Sequence, residues 1–455
     1  MFKSRRRYYR KPRQSLPPQV FLMAIPLALI LLELLARIFV GVTGKSAELA
    51  AYEGAPPDVT AYCLKFLGQT GQPYDGISDR GGLAAQRRLA VGYSLVGNQK
   101  SNFWQINEQS FRDDDPVPLE KPKNEIQIFL LGGSTAFGQW NANNQSTLAS
   151  KLEARLNERV AQQKRSPEKY RPTDLPFEKR ERQKALALPL QLRDAQYRVI
   201  NAAVPGYVSG NELAQLAFDI FRYKPDAVMV LDGYTDLMLP SNQVAADIPN
   251  LETLLNNAPG HLGTYLTQQL KHSVTDTYLA KAIQYWLLRP QPSVSQRSVV
   301  ATNDTEPLEA RLSSDPAELK RRVARYLDHH KQMVRLASAA KVPMIVAVQP
   351  EITGRSQAKL SPTERTILNE LGPVYKQRLE TGYAELARAS QQLQAAFPKN
   401  LITLNLYSFD QDVPKATFHD AIHLTEEANT VIAERLYRVI TSLPNLQVTP
   451  PKPPK

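Results

Sequence analysis

The chain has 455 residues, 42% of them hydrophobic, enough to bury a full core with room for insertions or a second module. Its formal charge of +12 is not a nucleic-acid signature: Lys3, Arg5, Arg6, Arg7, Arg10, Lys11 and Arg13 carry seven of it with no acid among them, so the rest of the chain holds only +5. Cys63 is the single cysteine, which excludes an intrachain disulfide and a cysteine metal cluster.

Residues 1–19 are a basic tail expected in the cytoplasm. VFLMAIPLALILLELLARIFVGV, residues 20–42, is 23 residues long and is predicted to cross a bilayer as one helix. Basic residues before it hold the N-terminus inside. Everything beyond is then expected on the outer side, in a bacterial cell the periplasm or cell surface, which makes the chain a single-pass protein of the cell envelope. No A-x-A-like site closes the run, so it reads as an uncleaved signal-anchor in preference to a cleaved signal peptide. The start, Ser4-Arg5-Arg6-Arg7-Tyr8-Tyr9-Arg10, is similar to a twin-arginine export signal, with Tyr-Tyr in place of the usual apolar pair. Glu33 and Arg37 are four apart with the acid first, and read as a mutually neutralising pair near the outer boundary. Cys63 lies about 20 residues past the span, too far for lipoprotein attachment, and reads as a small buried hydrophobe.

Residues 45–120 are mixed in composition, with Pro56-Pro57, scattered glycines and the run RDDDP at 112–116, and are expected as a stalk or irregular cap. From 125 onward buried-strand patterns recur: EIQIFLL (125–131), YRVINAAV (197–204), DAVMVLDG (226–233), PMIVAVQP (343–350) and LITLNLY (401–407). Helical stretches separate them, beginning with STLASKLEARLNERV from Ser146, whose Leu148, Leu152, Leu156 and Val160 form a stripe. That alternation predicts a parallel five-stranded α/β sheet with helices on both faces, a three-layer α/β/α domain over 125–440. Two connections are too long for simple crossovers. One is a charged insertion within 161–195; the other, within 240–315, holds HLGTYLTQQLKHSVTDTYLAKAIQYWLL, predicted helical, and a polar stretch of loop composition. A lid and a solvated decoration are both open for the larger one. Residues 441–455 form a Pro-rich tail.

The first strand runs into Gly132-Gly133-Ser134. Two glycines allow a sharp turn, so Ser134 can leave the sheet edge exposed beside backbone N–H groups. Near the C-terminus stands TFHDAIHLTEEANTVIAERLYRVI, residues 417–440. Asp420 and His423 are three apart, close enough for the carboxylate to fix the imidazole tautomer, ahead of a closing helix with Leu424, Ala428, Ile432, Leu436 and Ile440 as its stripe. A serine after the first strand and an Asp-x-x-His after the last are the parts of a nucleophilic triad. His419 and His423 could instead pair on a metal, but no third ligand accompanies them, and no metal or other cofactor is expected. His261, His272, His329 and His330 read as structural or solvated.

With these residues in view, the chain resembles the SGNH, or GDSL-type, esterase and lipase superfamily over roughly 125–440, and in particular its membrane-anchored bacterial members, whose extended lead-in INEQSFRDDD (106–115) resembles. The four blocks of that family correspond in order to Gly132-Gly133-Ser134, to Gly206 in NAAVPGYVSG, to Gly233-Tyr234-Thr235-Asp236 and to Asp420-Ala421-Ile422-His423. The resemblance implies catalysis by Ser134, His423 and Asp420. It further implies an oxyanion hole from the N–H groups of Ser134 and Gly206 and the side chain at 235, with Gly133, Gly233, Tyr234 and Asp236 lining the site. The family has asparagine where this chain has Thr235. Threonine can donate through its hydroxyl, but from a shorter side chain with free rotation. With strand order 2-1-3-4-5, Ser134 and the 233–236 block leave the two strands where the order reverses. The expected function is a serine esterase acting on an acyl ester through an acyl-enzyme. Transfer or removal of acyl groups on envelope glycans, a lipid esterase, and a catalytically weak or silent binding protein are the alternatives.

Overall fold

Strand formation follows the runs of β-branched and leucine side chains. In the computed structural model, which describes residues 18–74, 77, 80–249, 251, 256–298, 307–409 and 416–448, five strands make one sheet: β1 (Glu125–Gly132), β2 (Gln196–Asn201), β3 (Ala227–Asp232), β4 (Met344–Val348) and β5 (Leu401–Asn405). All neighbours pair in parallel in the spatial order β5-β4-β3-β1-β2, the 2-1-3-4-5 arrangement predicted. Four of the five strands stop short of the predicted C-terminal limits; after β2 the Ala202 and Val204 N–H groups still donate to the Leu130 (2.9 Å) and Gly132 (3.0 Å) carbonyls of β1 before the chain turns at Gly206.

β1 is an interior strand, buried on both faces. Ile126, Ile128 and Leu130 point into one core, while Phe129 and Leu131 point into the other, the period-two alternation of a covered strand. Helices Leu148–Arg165 and Glu426–Ile440 supply Leu152, Leu156, Ile432 and Leu436 to the first core; helix Pro316–Ala339 supplies Met333, Val334 and Ala337 to the second. Truncating any of these leucines to alanine costs about 2–5 kcal/mol. The long helix between β1 and β2 starts at Leu148, with Thr147 accepting from the Ser150 N–H as its cap.

By its contacts the chain divides into two units, Met1–Pro56 with Leu266–Gln291, and Pro57–Tyr265 with Pro292–Lys455. The sheet belongs to the second. So does the lead-in from Pro57: it is folded where a stalk or irregular cap was expected, with a small sheet of Leu64–Leu67, Leu83–Arg88 and Gly92–Leu95. Its Tyr62, Tyr93 and Trp104 are buried in the first core of the main sheet, which is why this stretch orders despite its mixed composition.

The first unit contains helix Pro18–Val42, within which Met23–Val42 is long and apolar enough to cross a membrane. Part of the larger insertion packs on this helix and is therefore not a free decoration: helix Tyr278–Ala282 runs on through Ile283–Leu288. The basic N-terminal cluster, the twin-arginine-like run and the end of the Pro-rich tail lie outside the described residues.

Candidate active site

Ser134 opens a four-residue helix, Ser134–Phe137, directly at the end of β1. The turn needs glycine at 132: its φ is +148°, and a Cβ there would stand 2.3 Å from the Leu231 carbonyl oxygen and 2.7 Å from the Ala136 methyl. As the first helical residue, Ser134 has an N–H with no intrahelical acceptor. The helix is fixed from its other end by Arg112, a buried residue of the INEQSFRDDD lead-in. Its guanidinium donates to the carbonyls of Phe137 (3.1 Å), Gly138 (2.7 Å) and Phe103 (2.9 Å), to Asn144 Oδ1 (2.9 Å) and to Tyr62 Oη (2.9 Å).

Asp420 and His423 sit in a loop before the last helix, not within it; that helix begins at Glu426 with Thr425 as its cap, so Leu424 precedes the stripe. The loop closes on itself through the His419 N–H to the His423 carbonyl (2.8 Å) and the Thr425 N–H to the Thr417 carbonyl (2.9 Å). Side chains fasten it to the Ser134 segment: Thr135 Oγ1 donates to the Ile422 carbonyl (3.3 Å) and Asn141 Nδ2 to the Leu424 carbonyl (3.2 Å), while Asn429 Nδ2 holds Asn141 Oδ1 (3.0 Å).

These contacts bring three buried side chains into line. Ser134 Oγ lies 2.8 Å from His423 Nε2, and His423 Nδ1 lies 2.7 Å from Asp420 Oδ2. Asp420 Oδ1 accepts the N–H groups of Ile422 and His423, each at 3.0 Å. Burial alone would raise the Asp420 pKa, but the His423 charge and these hydrogen bonds outweigh it and hold it at about 2. A carboxylate at Nδ1 keeps the proton on that nitrogen and leaves the Nε2 lone pair facing the serine.

Trp140, which the sequence did not single out, completes the cluster. Its indole Nε1–H donates to Asp420 Oδ2 at 2.7 Å. The same nitrogen is 3.1 Å from His423 Nδ1, but with Nδ1 itself protonated toward Asp420 only the carboxylate can accept. Trp140 holds φ +66°, a left-handed conformation costly for a bulky residue.

Gly206 has φ +85°, and a Cβ on it would meet the Tyr93 hydroxyl at 2.5 Å; among the described residues its N–H has no acceptor. A Cβ placed on Gly133 would come within 3.3 Å of the Tyr207 carbonyl oxygen and 3.7 Å of Thr235 Oγ1. The turn before Ser134, the Gly206-Tyr207 block and the Thr235 hydroxyl therefore meet at Gly133. Gly233, at φ +112°, starts helix Tyr234–Met238. Tyr234 and Asp236, expected to line the site, are instead buried in supporting bonds. Tyr234 Oη accepts from Tyr375 Oη at 3.2 Å, and Asp236 accepts the Ser209 N–H (3.0 Å) and hydroxyl (2.5 Å). On a helix of one turn these side chains fall on the core side while Thr235 stays half-buried.

His329 and His330 are buried, which removes the solvated alternative for both. His330 Nδ1 donates to the Tyr326 carbonyl (2.9 Å) and Nε2 lies 3.2 Å from Asp232 Oδ2. Asp232 and Glu212 complete a buried group with the spacing of metal ligands; it includes neither His419 nor His423. Burial would lower the His330 pKa, but Asp232 raises it, and burial beside Asp232 pushes Glu212 well above the carboxylate range. The group brings together helix Ser209–Gln215, β3 and helix Pro316–Ala339.

The sheet order and the placing of the four blocks along it agree with the SGNH/GDSL-type pattern. No protein-family model matches the chain, and no curated protein matches it. Among solved structures it is similar to the lipase/acylhydrolase from Enterococcus faecalis, at 15% identity and TM-score 0.33, over 70% of this chain and 95% of that one. It is also similar to the psychrotrophic esterase EstA from Pseudoalteromonas sp., at 13% identity and TM-score 0.32, over 69% and 96% of the two chains. A third is a GDSL-like lipase from Bacteroides thetaiotaomicron, at 10% identity and TM-score 0.29, over 69% and 87%.

Proposed function

We propose that this chain is a membrane-anchored SGNH/GDSL-type serine hydrolase that cleaves acyl esters outside the cytoplasm. The observation that carries the proposal is the alignment of Ser134 Oγ, His423 and Asp420 at 2.8 and 2.7 Å. Ser134 attacks the ester carbonyl as His423 Nε2 takes its proton; Asp420 keeps Nδ1 protonated and steadies the imidazolium that forms. The oxyanion is received by the N–H groups of Ser134 and Gly206 and by the Thr235 hydroxyl. Collapse of the intermediate expels the alcohol, which takes the proton from His423, and leaves an acyl group on Ser134. Water activated by the same imidazole then releases the acid. A sugar hydroxyl in place of that water would make the enzyme an O-acyltransferase on an envelope glycan.

Anchoring comes from residues 20–42, with the preceding basic residues placing the N-terminus in the cytoplasm. A second reading, a weak or silent binding protein, is favoured by Thr235, since losing an oxyanion donor costs about 10²–10³ in rate. Brief exposure of the full chain to an aryl acetate, acid quenching and peptide mass spectrometry separates the two. Acetylated Ser134, absent in Ser134→Ala, supports the hydrolase; an unmodified Ser134 with no release of the phenol favours the binding role.

A further inference from the structure

Glu33 and Arg37 do more than neutralise one another. Arg37 Nε donates to Glu33 Oε1 at 2.8 Å, yet the same carboxylate also accepts the N–H groups of Tyr278 (3.1 Å) and Leu279 (2.9 Å), the first residues of a helix from the larger insertion. From there the insertion helix follows the anchor outward. The Arg37 guanidinium lies 5.0 Å from the Tyr278 ring centroid, Trp286 packs edge-on against Phe39 at 5.6 Å, and Tyr285 reaches Tyr52 (5.5 Å) and Glu48. Residues 278–288 rise about 16 Å, roughly half a hydrocarbon core of ~30 Å. They lie against residues 33–39, in the outer half of the apolar span.

The surface this segment presents is apolar. Leu266, Leu270 and Val274, four apart on one helix face, are 52%, 70% and 67% exposed, and Leu287 and Leu288 are 77% and 64% exposed. Such leucines in water beside a membrane span would be costly, at about 25 cal/mol per Å² of apolar surface. Several polar groups of the segment are satisfied locally: Ser273 and Thr275 hydroxyls donate to the Gln269 and Lys271 carbonyls of their own helix, and His272 lies 3.5 Å from Asp276. Tyr278, Tyr285 and Trp286 are the residue types enriched at a membrane interface.

We propose that Leu266–Leu288 is a second membrane-binding element, seated in the acyl chains and headgroup boundary of the outer leaflet and docked on the anchor through Glu33. Its occupant is the lipid bilayer, because residues 278–286 pack directly on the span, whose own leucines are exposed, and the exposed leucines of the segment belong to the same unit. The proposal rests on the anchor reading of residues 20–42.

The test uses the full chain in phospholipid vesicles, with one tryptophan added at a time at exposed positions: Leu270→Trp, Leu287→Trp, Leu31→Trp in the span and Phe177→Trp as the aqueous control. Fluorescence gained over the parent is challenged with chain-brominated lipid and with acrylamide. Brominated lipid should remove most of the added signal at 270 and 287, as at 31, while only acrylamide quenches at 177. Quenching by acrylamide alone at 270 and 287 would overturn the proposal. Protection from both quenchers would also overturn it, by showing that a protein surface covers these leucines. If Leu31→Trp too were quenched only from water, the anchor reading itself would fail, a distinct result.

Discussion

Replacing Asp420 by asparagine changes one atom in a carboxylate whose two oxygens each have two donors. Oδ1 accepts the N–H groups of Ile422 and His423, and Oδ2 accepts Trp140 Nε1 and His423 Nδ1. An amide can keep its oxygen toward only one pair. With the oxygen left on the backbone groups, its NH₂ faces two N–H donors, and the imidazole relieves the clash by moving its proton to Nε2. That nitrogen then presents a hydrogen to Ser134 Oγ at 2.8 Å and cannot act as a base. A wrong tautomer in an otherwise intact triad costs roughly 10⁴ in turnover, or about 5.5 kcal/mol. The Trp140 indole also loses its acceptor, a stability cost of about 1–3 kcal/mol. Initial rates of aryl acetate hydrolysis by the full chain, read beside a thermal melt, measure both. An Asp420→Asn variant that stays folded and works within tenfold of the native chain would show that Asp420 does not set the tautomer.

Thr235→Asn should raise turnover by less than the hundredfold to thousandfold of a wholly new oxyanion donor, with KM nearly unchanged, and Thr235→Val should lower it roughly tenfold; unchanged kcat in both would place residue 235 outside the oxyanion hole. Arg112→Lys leaves at least three of the six acceptors around that guanidinium without its hydrogen bond and should cost at least about 2 kcal/mol in denaturant unfolding. Equal stability would remove Arg112 as the clamp on the Ser134 helix. The Asp420 pKa of about 2, against an ordinary 3.8, is depressed, so its contribution, at most roughly 2 kcal/mol, is complete above about pH 4 and disappears as pH falls through about 2. Unfolding free energies measured down this range should show that acid limb in the native chain and lack it in Asp420→Asn.

The sheet was legible because a strand buried on both faces is written in a short, largely apolar run without a helical period, as in residues 125–131 and 226–231. The Ser134, Asp420 and His423 pattern was legible because its chemistry is local: glycines before Ser134, and a spacing of three from Asp420 to His423. Trp140 was not, since its partner lies 280 residues away and nothing in FGQW announces an indole aimed at a carboxylate. The lead-in was misread for a related reason. Its strands are short and carry charged residues such as Arg87 and Arg88, so composition suggests a stalk, while Tyr62, Tyr93 and Trp104 owe their burial to a sheet formed later in the chain. Glu33 and Arg37 concealed the docking of the insertion because a pair that satisfies itself gives no sign of a third partner. Tyr234 and Asp236 lie in the right block, but a single helical turn points them inward.

The central claim is that Ser134 is a nucleophile activated by His423. Incubating the purified full chain with a serine-directed fluorophosphonate and locating the adduct by peptide mass spectrometry tests it most directly. Covalent label on Ser134, abolished in Ser134→Ala and strongly slowed in His423→Ala, is the result the geometry predicts. A folded native chain that takes up no label, or label that persists in Ser134→Ala, would contradict it.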